Sequence, residues 1–506
     1  MKKLVKIISF LIVGILATAA VGCSDGTGDK IDLTNAPDYS ESEGQFRIWS
    51  YGATCDDWYM LNGKRYYFEQ GSLQTPEHTQ QYKDAGFNFL FIDYTFQEHP
   101  LQEGYDFEHG KLKKVMDMAY EQGLKCFVFQ PEIHSLSNFE ESRINPEKAE
   151  IPRNEGVYFK SQEAINEYVA RILSSIKEHP AFAGVSLIDE PKYTKFDAIA
   201  ETYKAVKFVC PDAYVMINIL PYAANSNEHK VLYCGRTDIS TDDAYAEYLN
   251  TYYEKVGKLT GYIQYDDYPI LNDGILSTYL YNHQIVSNFA KEHNLERRVV
   301  TQTSTYSNRR AVKAGDMYFQ LNISQAFGNK EFSYYTYYPT VNVNGPSLPV
   351  EEDYIVNRIG NPNPLYYTLK DFHNEMQFNA KALMNFDYAG MQFLAVKPLP
   401  NGMDYLAGLK NDSFSKLKGF DATFKYQSGG LVIVTELYDK DNDVYGYYIV
   451  NATDSAYASE AVVELDFGDY KAVQIYQFSK INNVGMNDGK IKVRLSTGGG
   501  AFVIPF

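Results

Sequence analysis

Tryptophan, histidine and cysteine are scarce in this chain, whose 506 residues include 2 Trp, 9 His and 5 Cys. No two cysteines form a C-x-x-C pair and the histidines are scattered, so the sequence indicates no zinc site. No other metal and no cofactor is predicted. Cys55, Cys126, Cys210 and Cys234 are predicted to be isolated buried thiols. A Cys210–Cys234 disulfide is the alternative, because export would permit one.

Positive charge is also in deficit. The chain has 47 Lys and Arg against 64 Asp and Glu, so its formal net charge is −17. Binding to phosphate chains needs clustered Lys and Arg, so the sequence predicts no nucleic-acid partner and disfavours uronic-acid-rich or sulfated substrates. Tyrosine, by contrast, is abundant, with 44 copies. Its flat apolar ring and polar tip suit surfaces that contact amphipathic ligands.

A long apolar run occurs at the N-terminus, in MKKLVKIISFLIVGILATAAVGC. Early lysines, an apolar run and small residues before Cys23 are typical of a secretory signal peptide, here residues 1–22. A retained transmembrane helix is the weaker interpretation. The end of this segment resembles a bacterial lipobox, although Ala20 stands where Leu is usual. That resemblance implies a lipid on Cys23, and plain secretion with a free Cys23 is the alternative. Ser24 resembles the following residue of outer-membrane lipoproteins, and residues 23–45 are predicted to be a flexible tether.

From residue 46 to about 388, short apolar runs alternate with segments of helical period. Eight runs are predicted to be strands: 46–54, 87–95, 124–131, 182–191, 213–221, 259–269, 297–305 and 331–339. Helices are expected after the capping residues Thr75 and Ser161, and a last one from about 364 to 384. This alternation predicts a (β/α)8 TIM barrel over residues 46–388. A doubly wound open sheet is the competitor, but no Gly-rich phosphate loop follows the first strand.

After residue 388 the pattern changes to short runs of period two separated by turns. They predict a C-terminal all-β sandwich over residues 389–506, so the chain is an α/β barrel followed by an all-β domain. The stretch DKDND at 439–443 lies between two of these runs. It lacks the Gly and the bidentate Glu of a calcium loop, so it is predicted to be a hairpin turn.

The fourth strand, GVSLIDEP, ends in two acids, although burying a carboxylate costs free energy unless something compensates its charge. In a TIM barrel the active site lies at the carboxyl ends of the strands, and side chains alternate between the interior and the helix layer. With Val185 and Leu187 on the helix side, Glu190 is predicted to face inward at the mouth and Asp189 to face the loops. Strand six, YIQYDDYP, repeats the pattern and places Asp266 inward.

The other strands also end in polar side chains. These are Asp93 on strand two, Gln130 and Glu132 on three, Asn218 on five, Gln302 on seven and Tyr338 on eight. Acids and amides hydrogen-bond sugar hydroxyls, while aromatic rings cover the C–H faces. The mouth is therefore predicted to bind a carbohydrate through these residues and through Asp189, Asp267 and Tyr268. Trp58, in the loop after strand one, is predicted to be a stacking platform or, alternatively, a loop anchor.

The stretches GVSLIDEP, YIQYDDYP, FSYYTYYP and GNPNPLYYTLKDFHNEM, in this order and strand context, resemble barrel glycoside hydrolases of the clan A type. They particularly resemble the β-galactosidase-like lipoproteins of polysaccharide-degrading systems. The resemblance covers roughly residues 46–390, and the predicted sandwich after it fits the same architecture. It implies that Glu190, in Asp-Glu-Pro, is the general acid/base. It also matches Asp266, Tyr268 and Pro269 to the family's Asp-x-Tyr-Pro on strand six.

The sequence departs from that family at two points. The family's nucleophile is a Glu at the end of strand seven, where VVTQTSTYSNR has no acid, and its strand-eight aromatic is Trp where Tyr338 stands here. Glycosidic cleavage needs two carboxyls in unequal environments, one protonated and one ionised. Asp266 is the preferred second carboxyl, with Asp267 or Glu132 behind it. Glu331 begins strand eight and should lie at the opposite end of the barrel.

Two functions are compatible with the sequence. The first is a glycoside hydrolase acting on a neutral glycan and anchored by its lipid to the bacterial envelope, at the outer membrane. The second is a non-catalytic glycan-binding lipoprotein built on a degenerate hydrolase barrel. A second carboxyl roughly 5 to 10 Å from Glu190 would favour the enzyme. The oligomeric state is not predicted.

Overall fold

Eight parallel strands form a closed ring in this protein. The computed structural model describes residues 31–56, 58–61, 64–67, 71–154, 156–224, 226–305, 308–339, 354–357, 359–399, 405–426 and 428–506. The ring contains β1 (Arg47–Ser50), β2 (Phe89–Ile92), β3 (Lys125–Phe129), β4 (Phe182–Asp189), β5 (Tyr214–Asn218), β6 (Tyr262–Asp267), β7 (Glu296–Gln302) and β8 (Asn329–Tyr335). Each strand overlaps its predicted run, so the sequence located all eight.

Two sheets make up the ring. One has the order β1-β8-β7-β6 and the other the order β2-β3-β4-β5, with every pairing parallel. The Asn88 side-chain oxygen accepts from the Ile48 N–H at 2.8 Å, which joins β1 to the start of β2. At the other seam the Ile219 N–H donates to the Gln264 carbonyl at 2.9 Å. Both seams are therefore joined, which confirms the predicted (β/α)8 barrel and excludes an open doubly wound sheet.

Helices surround the ring between consecutive strands. They are α1 (Pro76–Asp84), α2 (Lys111–Glu121), α3 (Pro131–Ser137), α4 (Pro146–Ala149), α5 (Gln162–Leu173), α6 (Phe196–Val209), α7 (Asn227–Cys234), α8 (Thr241–Tyr252), α9 (Lys258–Thr260), α10 (Tyr279–His293), α11 (Ala314–Ala326) and α12 (Pro364–Leu383). The predicted caps are confirmed, because the Thr75 hydroxyl accepts from His78 N and the Ser161 hydroxyl from Ala164 N. None of the described helices is long and apolar enough to cross a membrane.

Aromatic side chains fill the middle of the barrel. The interior cluster contains Trp49, Phe89, Phe91, Phe127, Tyr214 and Met216. Phe91 stacks on Phe127 with ring centroids 4.6 Å apart, and Trp49 meets Phe127 edge-on at 4.9 Å. Gly184 allows β4 to approach β5 closely, since a Cβ at that position would lie 1.8 Å from the Tyr214 carbonyl oxygen. The interior is therefore a packed layer that separates the two ends of the barrel.

A buried carboxylate lies at the amino-terminal end of the ring. Glu331 of β8 is 1% exposed, and it accepts from the Trp49 indole N–H at 2.6 Å and from the Tyr214 hydroxyl at 2.5 Å. Arg47 pairs with it at 2.7 Å and Arg298 at 3.5 Å. Burial opposes ionisation, but the two arginines keep the pKa of Glu331 below its usual value. The prediction that Glu331 lies opposite the mouth is confirmed.

The carboxyl-terminal part is a two-sheet sandwich, as predicted. Its strands are β9 (Asp387–Val396), β10 (Gly419–Lys425), β11 (Gly430–Asp439), β12 (Val444–Asn451), β13 (Glu460–Asp466), β14 (Ala472–Gln477), β15 (Lys480–Gly485), β16 (Lys490–Leu495) and β17 (Gly500–Pro505). Antiparallel sheets of order β9-β11-β12-β17-β14-β15 and β10-β13-β16 enclose a separate core. The DKDND stretch is the turn between β11 and β12, as predicted. Thr435 and Tyr448 hydrogen-bond to α11, which joins the sandwich to the barrel.

The segment before the barrel differs from the prediction in its described part. Residues 31–45 lie against the sandwich and α12 instead of forming a free tether. Tyr39 is 8% exposed, packs on Phe386 and donates its hydroxyl to Asp439 at 2.8 Å. Lys381 donates to the Ser40 carbonyl at 3.0 Å. An aromatic anchor is sufficient to dock such a polar stretch, and composition alone did not reveal it. Residues 1–30, with Cys23, lie outside the described residues.

The four cysteines of the described residues are free thiols, and Cys210 is only half-buried. The prediction of isolated buried thiols is confirmed for Cys55, Cys126 and Cys234, and the Cys210–Cys234 disulfide is not formed.

Removing the charge of Glu331 is expected to destabilise the barrel strongly. In Glu331→Gln the guanidinium groups of Arg47 and Arg298 lose their shared buried partner, and breaking such a pair costs about 3–5 kcal/mol. Urea unfolding followed by circular dichroism measures the loss. Glu296→Gln is the matched control, because Glu296 also pairs with Arg298 but its side chain is 40% exposed. Its cost should stay below about 1 kcal/mol, and equal losses in the two variants would contradict this account.

Candidate active site

An irregularity in β4 decides which acids face the mouth of the barrel. Ser186 pairs with Met216 of β5, but Ile188 pairs with Ile217, so the alternation is interrupted at residue 187. Asp189 then pairs with Asn218 and joins the inward side, which corrects the prediction that it faces the loops. A strand irregularity of this kind is a local feature of pairing and leaves no sign in the period of the sequence.

Glu190 also reaches the mouth, but by a different route from the predicted alternation. Its backbone has a left-handed φ of 45°, and its N–H donates to the Asn218 carbonyl at 2.8 Å. Such a conformation is uncommon for a residue with a Cβ and is often found at functional sites. The turn brings the Glu190 carboxyl within hydrogen-bonding reach of Asp266 on β6. The predicted inward position of Asp266 is confirmed.

Asn218 connects the carboxyls at the mouth. Its side-chain nitrogen donates to Asp189 at 2.9 Å and to Asp266 at 3.2 Å. Tyr51, which follows β1, donates its hydroxyl to the same Asp189 oxygen at 3.2 Å. These donors stabilise ionised carboxylates. Asp189 and Glu190 remain open to solvent on one side, whereas Asp266 is 3% exposed.

Crowding of the three carboxyls favours retention of protons. Removal of water by the surrounding protein, and then the charge of Asp189, raise the pKa of Glu190 to about 7. Burial raises the pKa of Asp266 well above its usual range, and the charges of Glu190 and Asp189 raise it further. Because like charges in contact cannot all ionise, the Glu190–Asp266 pair holds a proton near neutral pH. The mouth thus contains a proton donor beside carboxylate oxygens.

Aromatic rings and one arginine border the carboxyls. Tyr335, the last residue of β8, lies 5.6 Å from the ring of Tyr268 and 6.0 Å from that of Tyr51. Arg309 donates to the Tyr268 carbonyl at 3.1 Å, and its charge lowers the pKa of Glu190 against the larger effects of burial and Asp189. Tyr268 was predicted to lie at the mouth, whereas Tyr335, Tyr51 and Arg309 were not. Arg309 lies in an irregular stretch where no period indicates its direction.

Two predicted contacts lie away from the mouth. Tyr338 is 4% exposed, its N–H donates to the Gly52 carbonyl, and its ring packs on Tyr337. β8 ends at Tyr335, so this earlier tyrosine occupies the position that the sequence assigned to Tyr338. Gln302 is completely buried, and its amide binds both backbone groups of Ile270. It supports the loop after β6.

Asp267 also points away from the mouth. It is 3% exposed and accepts from the Asn282 amide of α10 at 2.8 Å, on the helix side of β6. Burial raises the pKa of Asp267 to about 7, although the bond from Asn282 and the charge of Arg309 oppose the shift. The prediction of a sugar contact at Asp267 is therefore corrected, because the side chain contacts a helix.

The remaining predicted residues are spread around the mouth. Asp93 lies two positions after Phe91, whose side chain is in the interior cluster, so alternation places Asp93 on the inward side as well. Asp93 is 7% exposed. Gln130 is 1% exposed at the start of α3, and Glu132 in the first turn of α3 lies 3.1 Å from His99. Trp58 begins the hairpin strand Trp58–Leu61, and its side chain lies outside the described residues. Asp93 thus stays a candidate contact, whereas Glu132 is paired outside the Glu190–Asp266 cluster.

Within the described ranges, no group of three or more His, Cys, Asp or Glu side chains is arranged to hold a metal ion. The carboxyls at the mouth can transfer protons, and its amides and tyrosines can form hydrogen bonds.

No protein-family model and no curated protein matches the sequence. Solved structures resemble it at low identity. A family 39 glycoside hydrolase from the gut symbiont Bacteroides cellulosilyticus WH2 is 12% identical, with 85% of this chain and 78% of that chain covered and a TM-score of 0.41. An α-amylase from Anoxybacillus is 14% identical, with coverages of 91% and 97% and a TM-score of 0.47.

A family 5 glycoside hydrolase from Bacteroides vulgatus ATCC 8482 is 10% identical, with coverages of 91% and 88% and a TM-score of 0.44. These are likenesses in overall architecture. The roles of the residues at the mouth rest on the geometry described above.

Asp267→Asn is expected to stabilise the protein at high pH. The pKa of Asp267 is raised on folding, so the folded state keeps a proton that the unfolded state loses, and stability falls as pH rises towards 7. The Asn side chain has no charge to bury and can still accept from Asn282. The variant should therefore be more stable at pH 8 by on the order of 2–4 kcal/mol, and the difference should shrink towards pH 5.

Urea unfolding at pH 5 and pH 8 measures this difference. Asp273→Asn in the exposed turn after β6 is the control, and it should show no such pH dependence. A gain of equal size at both pH values would contradict a raised pKa of Asp267, because the effect of the substitution would then not depend on ionisation.

Proposed function

We propose that this protein is a glycoside hydrolase that cleaves a neutral glycan at the carboxyl-terminal mouth of its barrel. The observation that carries the proposal is the cluster of three carboxyls at the mouth, where the Asn218 amide donates to both Asp189 and Asp266 and the Asn218 carbonyl accepts from the Glu190 N–H. Burial and the crowding of these carboxyls raise the pKa of Glu190 to about 7. Protonation of the leaving oxygen is the step for which a glycosidase needs a carboxyl of raised pKa.

Glu190 is the general acid in this proposal. It is the more exposed member of the pair, and therefore the one that a bound sugar can reach. Asp266 is the second carboxyl. It is more deeply buried, and its ionised form accepts a hydrogen bond from Asn218. Burial favours the shared proton on Asp266 in the free protein, so hydrolysis requires substrate binding to shift that proton to Glu190. Asp266, then ionised, acts as nucleophile or as the base that activates water.

The surroundings support a neutral substrate. Asp189, Glu190 and Asp266 lie together at the mouth, with Arg309 as a nearby cation. These acids would repel a sugar that itself carries a negative charge. Tyr51, Tyr268 and Tyr335 offer aromatic surface next to the acids. This combination of acids, amides and rings suits hydroxyl groups and the C–H faces of a pyranose.

One observation favours a second candidate, a glycan-binding protein without turnover. Glu190 and Asp266 are within hydrogen-bonding reach, whereas catalytic carboxyl pairs are about 5–5.5 Å apart in retaining enzymes and about 6.5–9.5 Å in inverting ones. Hydrolysis would require the substrate to separate the two carboxyls on binding. Without that movement, the same residues would bind sugar hydroxyls only.

Replacing Glu190 with Gln is expected to abolish hydrolysis while leaving the fold intact. The soluble form lacking residues 1–23 is assayed on a panel of aryl α- and β-glycosides, and the variant should lose on the order of 10²–10⁴-fold in kcat/KM. Wild-type activity should fall as pH rises through about 7, because Glu190 then loses its proton. The anomeric form of the first product reports whether Asp266 attacks directly or activates water.

Glu140→Gln is the matched control for this experiment. Glu140 is an exposed carboxylate, 3.0 Å from Lys192, and should be replaced without loss of activity. Wild-type turnover by Glu190→Gln would exclude Glu190 as the acid. If neither the wild type nor Glu190→Gln shows turnover and both bind glycan equally well, the result would support a glycan-binding protein without turnover.

We also propose that the protein is exported and held at the bacterial outer membrane by a lipid on Cys23, as the resemblance of its N-terminus to a lipobox implies. The docked segment 31–45 would then connect the anchor to the sandwich, since Tyr39 contacts Asp439 and Phe386. Cys23→Ala is expected to move the protein from the membrane fraction to the soluble envelope fraction. An unchanged distribution, or no incorporation of labelled palmitate into the wild type, would exclude lipidation.

A further inference from the structure

A large cavity lies at the end of the barrel opposite the carboxyls. Its volume is about 840 Å³. Its walls come from the amino-terminal ends of the strands and from α6, and include Arg47, Lys207, Tyr214 and Arg298. The interior aromatic layer around Phe127 and Trp49 separates it from the mouth. The proposed hydrolysis does not use this cavity.

The charge of this cavity is opposite to that of the whole chain. Five cations line it, namely Arg47, Lys125, Lys177, Lys207 and Arg298, and Asp212 is its single acidic lining residue. The chain as a whole carries a net charge of −17. A concave site lined by one sign of charge concentrates the field and attracts small ions of the other sign. The accumulation is therefore local and is not a consequence of composition.

Lys125 and Lys207, two of the three lysines on the wall, have donors to spare. Lys207 donates to the carbonyls of Pro211 at 2.8 Å and Ala213 at 2.7 Å, and Lys125 to the carbonyl of Pro180 at 2.7 Å. These partners are neutral, so they compensate neither ammonium charge. An ammonium group has three donors, and each lysine keeps at least one for a ligand.

The arginines are fixed in place beside the lysines. Arg298 lies 3.6 Å above the ring of Tyr262 and pairs with Glu296, while Arg47 pairs with Glu331. Burial lowers the pKa of Lys207, the charge of Asp212 opposes that shift, and the charge of Arg298 adds to it. Both cations line the cavity, and an anion bound there would offset their charges.

We infer that this cavity is a binding site for a small oxyanion, of the phosphate or carboxylate class, held between Lys207, Lys125 and the two arginines. Rings of Phe46, Phe89 and Tyr203 on the same walls leave room for an organic group attached to the anion. The site takes a small free anion and not a polyanionic chain, because the surface outside the cavity is acidic overall. It is separate from the glycan site and does not depend on the proposed hydrolysis.

Titration of the full-length protein with inorganic phosphate and with citrate tests this inference. In isothermal titration calorimetry, the added anion replaces chloride so that the ionic strength stays constant. The titration should show saturable binding of phosphate, of citrate or of both. Lys207→Gln should weaken binding roughly tenfold, because it removes a partly buried charge that faces the anion. Lys204→Gln, on the exposed side of the same helix, is the matched control and should bind as the wild type does.

Asp212→Asn provides a variant that should gain affinity. Asp212 is exposed, so the substitution does not threaten folding, and removing the single acid of the lining should tighten binding roughly two- to fivefold. Heats that do not exceed those of chloride would overturn the inference. Equal affinities in Lys207→Gln, Lys204→Gln and Asp212→Asn would overturn it as well, since they would place the anion elsewhere.

Discussion

Closure of eight parallel strands into one ring is the constraint on which the rest of this molecule depends. Because all the strands run in the same direction, their carboxyl ends meet at one rim and their amino ends at the other. Asp189, Asn218 and Asp266 come from three consecutive strands and meet only for this reason. Glu331 begins its strand and is held at the far rim, where Arg47 and Arg298 neutralise it.

The packed interior keeps these two charged ends apart. A layer of aromatic side chains around Phe127 and Trp49 excludes water from the middle of the barrel. Each end must therefore compensate its own charges. At the amino-terminal end the arginines do so for Glu331, and the pKa of Glu331 is lowered. At the mouth there are fewer compensating groups than acids, and the pKa of Glu190 and of Asp266 is raised.

That imbalance has a chemical consequence. A fully compensated carboxylate is inert as an acid, whereas one that is crowded by Asp189 and Asp266 keeps a proton to give away. Asn218 limits the crowding, because its amide donates to two of the three acids and holds their positions. The hydrogen bonds at the mouth thus favour a site in which one proton is shared among fixed oxygens.

Local patterns in the sequence determined the architecture and much of the site. Alternation of apolar runs and helical segments is a property of neighbouring residues, and it was sufficient for the eight strands and the sandwich. The polar strand ends, the caps at Thr75 and Ser161, and the far position of Glu331 followed in the same way. Strands β10 and β15 have few buried apolar residues, so their period-two pattern is weak.

Assigning side chains to the two faces of a strand by simple alternation failed where strand pairing is irregular or where a strand ends earlier than predicted. The irregularity before Ile188 turned Asp189 inward, and the earlier end of β8 put Tyr335 in place of Tyr338. The helix contact of Asp267 and the docking of Tyr39 depend on how other elements pack against them. The sequence by itself thus determined which residue types end each strand. Only the tertiary structure decided which of them share a proton, because that depends on the register between strands and on distances across the ring.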